Sequence, residues 1–362
     1  MERNGYMSLT NAKREDRLIG LDILRILSMV LITLRHYIGY AGLSELTDFF
    51  SFNGIAVRML DILSGSAVNI FVLISGYFLI HSDFKWKRAI KIWGETFFYS
   101  VVCFAIAIAF GLEKITSGRL LLSFMPLLSR HYWFTVAYIA LYAASPFLNK
   151  MLRALNEKEY TVLVVGGAIL LSVWTSVIYF STGVLTGGNT GLLWFIYLYI
   201  VGGFIRMHPQ KLPKTAVCIT GIAGITALLL IYELLADKIG FLNNFKPLED
   251  DSIFELLLSV CIFAVFLRVK IQSSRWSKVI AWVGSCAFGV YLIQESCMLR
   301  QWLWLRLVKP GQLAQQWSLI PMAFGVVICL FITAIAGHKL FELLFGLGEK
   351  LFSTGKNNKT RQ

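Results

Sequence analysis

The sequence predicts an all-α fold, a polytopic integral membrane helical bundle of about ten transmembrane helices with both termini cytoplasmic. Three observations lead there. Mean hydropathy is +0.66, with 57% hydrophobic and only 15% charged residues, where a soluble chain carries about 25% charged. Ten apolar runs are near the roughly 20 residues that a helix needs to cross hydrocarbon. Lys and Arg are strongly biased towards alternate connections between those runs.

In chain order, residues 1–17 form a polar cytoplasmic segment, too unlike a charged-then-apolar leader to be a signal peptide. Spans are expected at about 18–40, 59–80, 89–111, 132–152, 161–180, 191–206, 214–235, 252–270, 279–299 and 318–345. Residues 120–128, "LLLSFMPLL", are too short to cross and read as an interfacial or re-entrant piece. The domain division is therefore 1–17, a membrane domain 18–345, and a cytoplasmic tail 346–362, polar and irregular from Ser353. With the N-terminus inside, the inner connections hold about three times as many Lys and Arg as the outer ones. The loop 300–316 is the discordant one, with Arg300, Arg306 and Lys309 on the outer side.

The net charge of +13 is spread over short loops between apolar runs, which argues against nucleic acid as a partner and for the lipid bilayer. The six cysteines lie in or beside apolar runs without a C-x-x-C pair, and read as small buried hydrophobes. Five scattered His have no metal-ligand spacing, so no metal is expected.

The first span is chemically unusual. "LDILRILSMVLITLRHYIGY" carries Asp22, Arg25, Arg35 and His36 inside an apolar run. A charge at the bilayer centre costs roughly 2.5–3.5 kcal/mol even on the mildest scale. Arg25 and His36 are eleven residues apart, three turns plus about 20°, so they share a face and are separated by about 16 Å along the axis. Asp22, one turn before Arg25, is placed to pair with it. A polar stripe of this length faces a cavity rather than lipid. The competing readings are snorkelling with ion pairing, and an ion-coupled transporter. Arg35 lies about 100° from His36, on another face.

Six stretches together resemble one family. They are "LDILRILSMVLITLRH", with ten residues between its Arg and His; "AVNIFVLISGYFLI"; the basic element at Arg88 and Lys91, where relatives read R-x-x-R; "HYWFTVAYIALYAASPFLNK"; "LLWFIYLYIVGGFIR"; and "FGVYLIQE". In this order they resemble the membrane acyltransferase-3 family, of the stand-alone polysaccharide O-acetyltransferase type. The resemblance covers residues 18 to 345. It implies an enzyme that moves an acyl group, usually acetyl from cytoplasmic acetyl-CoA, to a sugar hydroxyl of a cell-envelope or exopolysaccharide. Such an enzyme belongs to a bacterial cytoplasmic membrane, with a glycan or lipid-linked sugar as acceptor. Succinyl-CoA is the second donor, and a multi-pass transporter or flippase of a lipid-linked glycan or solute is the alternative function.

On that reading His36 is the general base on the acceptor hydroxyl, its ordinary pKa near 6.5 suiting it to neutral pH. Arg25 is the second catalytic candidate, holding a phosphate or a carbonyl of the acyl-pantetheine arm. Arg88, Lys91, Lys87 and Lys85 form a basic mouth for coenzyme A. Topology and anionic lipid explain the same charges. Trp133 and Tyr132 are candidates to stack on the acceptor, as against serving as interfacial anchors. Glu295 joins them on the acceptor side. It follows Gln294, which stands where relatives often have His and cannot act as a base. Glu95 is expected to pair with Lys91 at i,i+4. Asn69 and Ser75 are read as interhelical hydrogen-bonding groups, and His81, His208 and His338 as incidental. His131 is a weak acceptor-side candidate. The sugar, the hydroxyl and the oligomeric state are not encoded legibly.

Overall fold

A computed structural model describes residues 18–128, 132–177, 191–236, 238–271 and 274–359. His131, the expected N-terminal segment 1–17 and the end of the run 161–180 lie outside these. The described residues are helical with no strand among them. The long helices are α1 (Ile19–Gly39), α2 (Phe52–Leu79) and α3 (Trp86–Ala109), followed by a short α4 (Ser117–Phe124). Next come α5 (Trp133–Ala154), α6 (Glu157–Ala168), α7 (Leu192–Met207) and α8 (Thr215–Ala236). The last are α9 (Ile253–Leu267), α10 (Ser274–Gln294) and α11 (Leu319–Lys359).

Among the described residues, five helical stretches are long and apolar enough to cross a membrane by length and composition: Phe52–Leu79, Trp86–Ala109, Thr215–Ala236, Arg275–Gln294 and Leu319–Leu347. Their outward faces carry exposed residues such as Val217, Ile231, Ile328, Ile332 and Leu343. Large apolar side chains outside and hydrogen-bonded polar groups inside are what lipid solvent selects.

Local signals set several boundaries. Ser51 Oγ accepts from the Gly54 amide at 2.9 Å and starts α2 about two turns before the apolar run. A capping box, Asn156 with Glu159, starts α6, which continues as a π-turn Ile169–Val173. The short α4 packs against α3 and presents Leu121 and Phe124 outward, the disposition of an interfacial piece. The tail expected to be irregular from Ser353 is instead helical to Lys359, a continuation of α11. Extending an existing helix fixes one residue per added bond, without a new nucleus.

Helix α2 is the hub, packed against α1, α7, α8 and α9. Its crossing with α7 is close because Gly76 lies against the Tyr199 backbone and Gly202 against the Leu73 carbonyl, so a Cβ at either would collide with main chain. Small residues at a crossing are the usual means of association where lipid removes the hydrophobic drive between helices. Asn69, buried in α2, donates to the Asp250 carbonyl at 2.7 Å and accepts from Trp194 Nε1 at 2.9 Å. It thereby ties α2 to α7 and to the loop before α9.

Helix α10 begins and ends about five residues before the expected run 279–299. It stops at Gln294, and the following polar residues are drawn inside, with Gln294, Glu295 and Ser296 all buried. The chain then folds back as a π-helix, Trp302–Val308, and a tight turn, Pro310–Leu313. This accounts for one discordant charge of the loop 300–316: Arg300 Nη1 is 3.4 Å from Glu295 Oε2.

Candidate active site

Helix α1 carries the candidate residues Arg25 and His36. Asp22 and Arg25 form the pair expected from their spacing, Arg25 Nη1 to Asp22 Oδ1 at 3.0 Å. Three turns on, His36 is packed among aromatic rings. Tyr40 lies 5.5 Å away, and Trp304, fully buried, stacks on Tyr40 at 6.0 Å. The His36 Nδ1 atom faces Glu295 Oε1 at 3.6 Å, beyond hydrogen-bond length, and has no hydrogen-bond partner. Tyr40 donates its hydroxyl to Glu295 Oε1 at 2.8 Å, Arg300 holds the other oxygen, and the Arg300 guanidinium lies over the Tyr40 ring. The carboxylate is thus fixed behind the histidine and does not line the cavity. Gln294 lies beside His36 and directs its amide to Met29 Sδ at 3.9 Å.

Two cavities flank this helix. The upper one, about 350 Å³, is lined by His36, Arg35 and Tyr40 of α1, Ser64, Val68 and Phe71 of α2, Trp133 and Phe134 of α5, Asp250, and Phe288 and Tyr291 of α10. The lower one, about 310 Å³, is lined by Arg25, Arg88 and Glu95 together with Ser75, Phe78, Tyr138 and Ser285, and again by Phe71, Phe134 and Phe288. Chain order runs consistently from one cavity to the other on each helix. On α1 Arg25 is below and Met29 to Tyr40 above; on α2 Ser64 is above and Ser75 below; on α5 Trp133 is above and Tyr138 below; on α10 Ser285 is below and Tyr291 above. The chambers are therefore stacked along the helix axes and meet at three phenylalanines.

The residues singled out in the sequence divide accordingly. His36 and Trp133 line the upper chamber, Arg25 and Arg88 the lower. Arg88 also lies over the Tyr142 ring at 5.5 Å. Lys85 and Lys87 are exposed at the start of α3 and Lys91 turns aside to Glu342 at 3.3 Å, so none of the three lines a chamber. Tyr132 is buried and donates to the Leu292 carbonyl at 3.3 Å, away from the cavity wall. Ser75 and Asn69 make the interhelical bonds expected of them, Ser75 Oγ to Tyr138 at 3.3 Å.

Two readings are corrected. Glu95 does not pair with Lys91. It meets His338 Nδ1 at 3.0 Å, and His338, far from incidental, is buried with its Nε2 3.4 Å from Glu342. A partner 243 residues away outcompetes the local one because Lys91 can reach solvent and Glu342, whereas Glu95 points into the bundle. Arg35, set on another face, lines the same cavity as His36 and is paired with Asp250. The cavity simply wraps further round α1 than one helical face. Its sequence signal was Asp250 in the acidic "LEDD" of the preceding loop. Trp304 gave no signal beyond its aromatic type.

The arrangement suits transfer between two polar ligands approaching from opposite ends. The lower chamber presents two guanidinium groups, fit for phosphate or carbonyl oxygens. The upper presents an imidazole backed by a carboxylate, with a neighbouring Arg–Asp pair. Among curated proteins and solved structures, no match to this chain is found. The profile of the acyltransferase-3 family, described as an acyltransferase domain, matches residues 18–338, nearly the whole membrane region, and the chain belongs to that family.

Proposed function

We propose that the protein is an O-acyltransferase of a bacterial cytoplasmic membrane that moves an acetyl group from cytoplasmic acetyl-CoA to a sugar hydroxyl of a cell-envelope or exopolysaccharide. The family and the membrane-type helices supply the coarse part, a membrane acyltransferase. The observation that carries the finer reading is the stacking of an arginine chamber and a histidine chamber on one helix, joined end to end. A pantetheine arm would lie through the lower chamber with its nucleotide outside, near Arg88 of the chamber wall and the exposed Lys85 and Lys87 at the same helix start.

In the reaction, His36 takes the proton of the acceptor hydroxyl as its oxygen attacks the thioester carbonyl. The carbon–sulfur bond breaks, and the same proton passes from the imidazolium to the departing thiolate, so the sugar ester and free thiol form with no net proton change. Glu295 stabilises the imidazolium from the Nδ1 side and is itself held by Tyr40 and Arg300. Arg35 and Asp250 offer the donors and acceptors that a sugar ring requires, and Trp133 offers a face to stack on. Gln294 takes no proton, so one histidine carries both transfers.

The test is to incubate membranes containing the protein with acetyl-labelled acetyl-CoA and the host glycan. Label is expected in the glycan with the wild type and lost with His36→Ala at unchanged protein abundance. Solute uptake without label in the glycan would support transport instead and overturn the proposal.

A further inference from the structure

The two chambers share three residues, Phe71, Phe134 and Phe288, each from a different helix. All three rings are half-buried, while their neighbours Val72, Ala287 and Thr135 are buried. They are not equivalent. Phe134 is wedged among other rings, 5.7 Å from both Tyr138 and Phe195 and 5.6 Å from Tyr291. Among the described ring contacts, Phe71 touches Phe134 at 6.2 Å and Phe288 touches Tyr291 at 6.0 Å. Among these contacts Phe134 therefore has four ring neighbours besides Phe71, whereas Phe71 and Phe288 each have one, Phe71 on Phe134 itself and Phe288 stacked on Tyr291.

A path joining cavities near opposite ends of a membrane bundle is a leak unless something closes it. Polar side chains line both chambers, Arg25 below and Arg35 and His36 above, and are 29%, 33% and 23% exposed. A constriction of phenyl rings without a polar group excludes water and ions by dewetting. We propose that Phe71, Phe134 and Phe288 form a collar that is both the permeability seal of the protein and the binding site for the narrow part of the pantetheine arm. Phe71 and Phe288 turn aside as the arm threads from the Arg25 chamber to His36, and the arm then plugs the opening. The inference rests on the acyl-CoA reading above.

The experiment uses the full chain in liposomes loaded with a pH-sensitive dye, under an imposed proton gradient. Wild-type vesicles should be tight. Phe71→Ala combined with Phe288→Ala should raise the proton leak at least fivefold. Coenzyme A added outside should suppress that leak, and adenosine 3′,5′-bisphosphate, which has the same phosphates at the ribose but no arm, should not. Phe71→Leu with Phe288→Leu, which keeps most of the volume, should stay tight and controls for misfolding of the alanine variant. Should that variant fail to incorporate, the single substitutions Phe71→Ala and Phe288→Ala are measured in the same way. Variants that stay tight overturn the seal. A leak that coenzyme A leaves unchanged, or that the bisphosphate blocks equally, overturns threading. Labelled transfer by the wild-type preparation is measured in parallel, so failure of the collar is separated from failure of the acyltransferase reading.

Discussion

His36 and Glu295 face each other at 3.6 Å across the upper end of α1, with Tyr40 and Arg300 fixing the carboxylate. Removing the imidazole removes the proposed base, so His36→Ala is expected to lower kcat by about 10²–10⁴-fold, the usual range for a positioned general base. Glu295→Gln keeps the shape and the Tyr40 contact but not the charge. It is expected to lower kcat by less than His36→Ala and to leave KM for acetyl-CoA unaltered; a KM effect would place Glu295 in substrate binding. Arg25→Lys keeps a cation beside Asp22, so insertion should be normal, while loss of the planar fork should raise KM for acetyl-CoA. An unchanged KM would leave Arg25 as an ion-pair residue only. Arg25 and His36 were legible because charge is expensive in an apolar run and eleven residues return to the same face. Arg35 was not, since a helical wheel gives an angle but not how far a cavity wraps round it. The Glu95–His338 pair was not legible either, because neither residue announces a partner on a distant helix.

At the level of elements, the α2–α7 crossing and the Asn69 bonds position the upper chamber. Asn69→Ala leaves the Trp194 indole N–H and the Asp250 carbonyl without their buried partner. Each such loss costs about 1–3 kcal/mol. Thermal unfolding in detergent should shift down, and acceptor affinity should fall more than acetyl-CoA affinity, because the loop holding Asp250 is released. Equal losses for both substrates would mean a general destabilisation. Gly202→Leu forces side-chain volume against the Leu73 carbonyl and is expected to destabilise by roughly 1–3 kcal/mol or more, as overpacking does. The apolar runs announced most helices, since lipid demands a continuous apolar surface. Ends were less legible. Ser51 capping lengthened α2, and α10 stopped early because Gln294, Glu295 and Ser296 are held inside beside α1, a tertiary cause with no local signature.

For the whole molecule, the arrangement is two stacked chambers that share Phe71, Phe134 and Phe288, on a scaffold in which α2 holds α1, α7 and α9 together. That plan was readable only in part. A stripe on α1 implied a cavity, but the division into two came from α2, α5 and α10, each contributing one ring that is ordinary in its own stretch of sequence. On the proposed function the plan has a vectorial consequence: donor and acceptor would enter from opposite ends and meet near His36. The direct test is to reconstitute the protein in one orientation, supply labelled acetyl-CoA to the face bearing Arg88, and confine the glycan acceptor to the other. The expected result is label in the glycan across the membrane, abolished by His36→Ala. Label appearing only when both substrates share one face, or persisting in His36→Ala, would contradict the account.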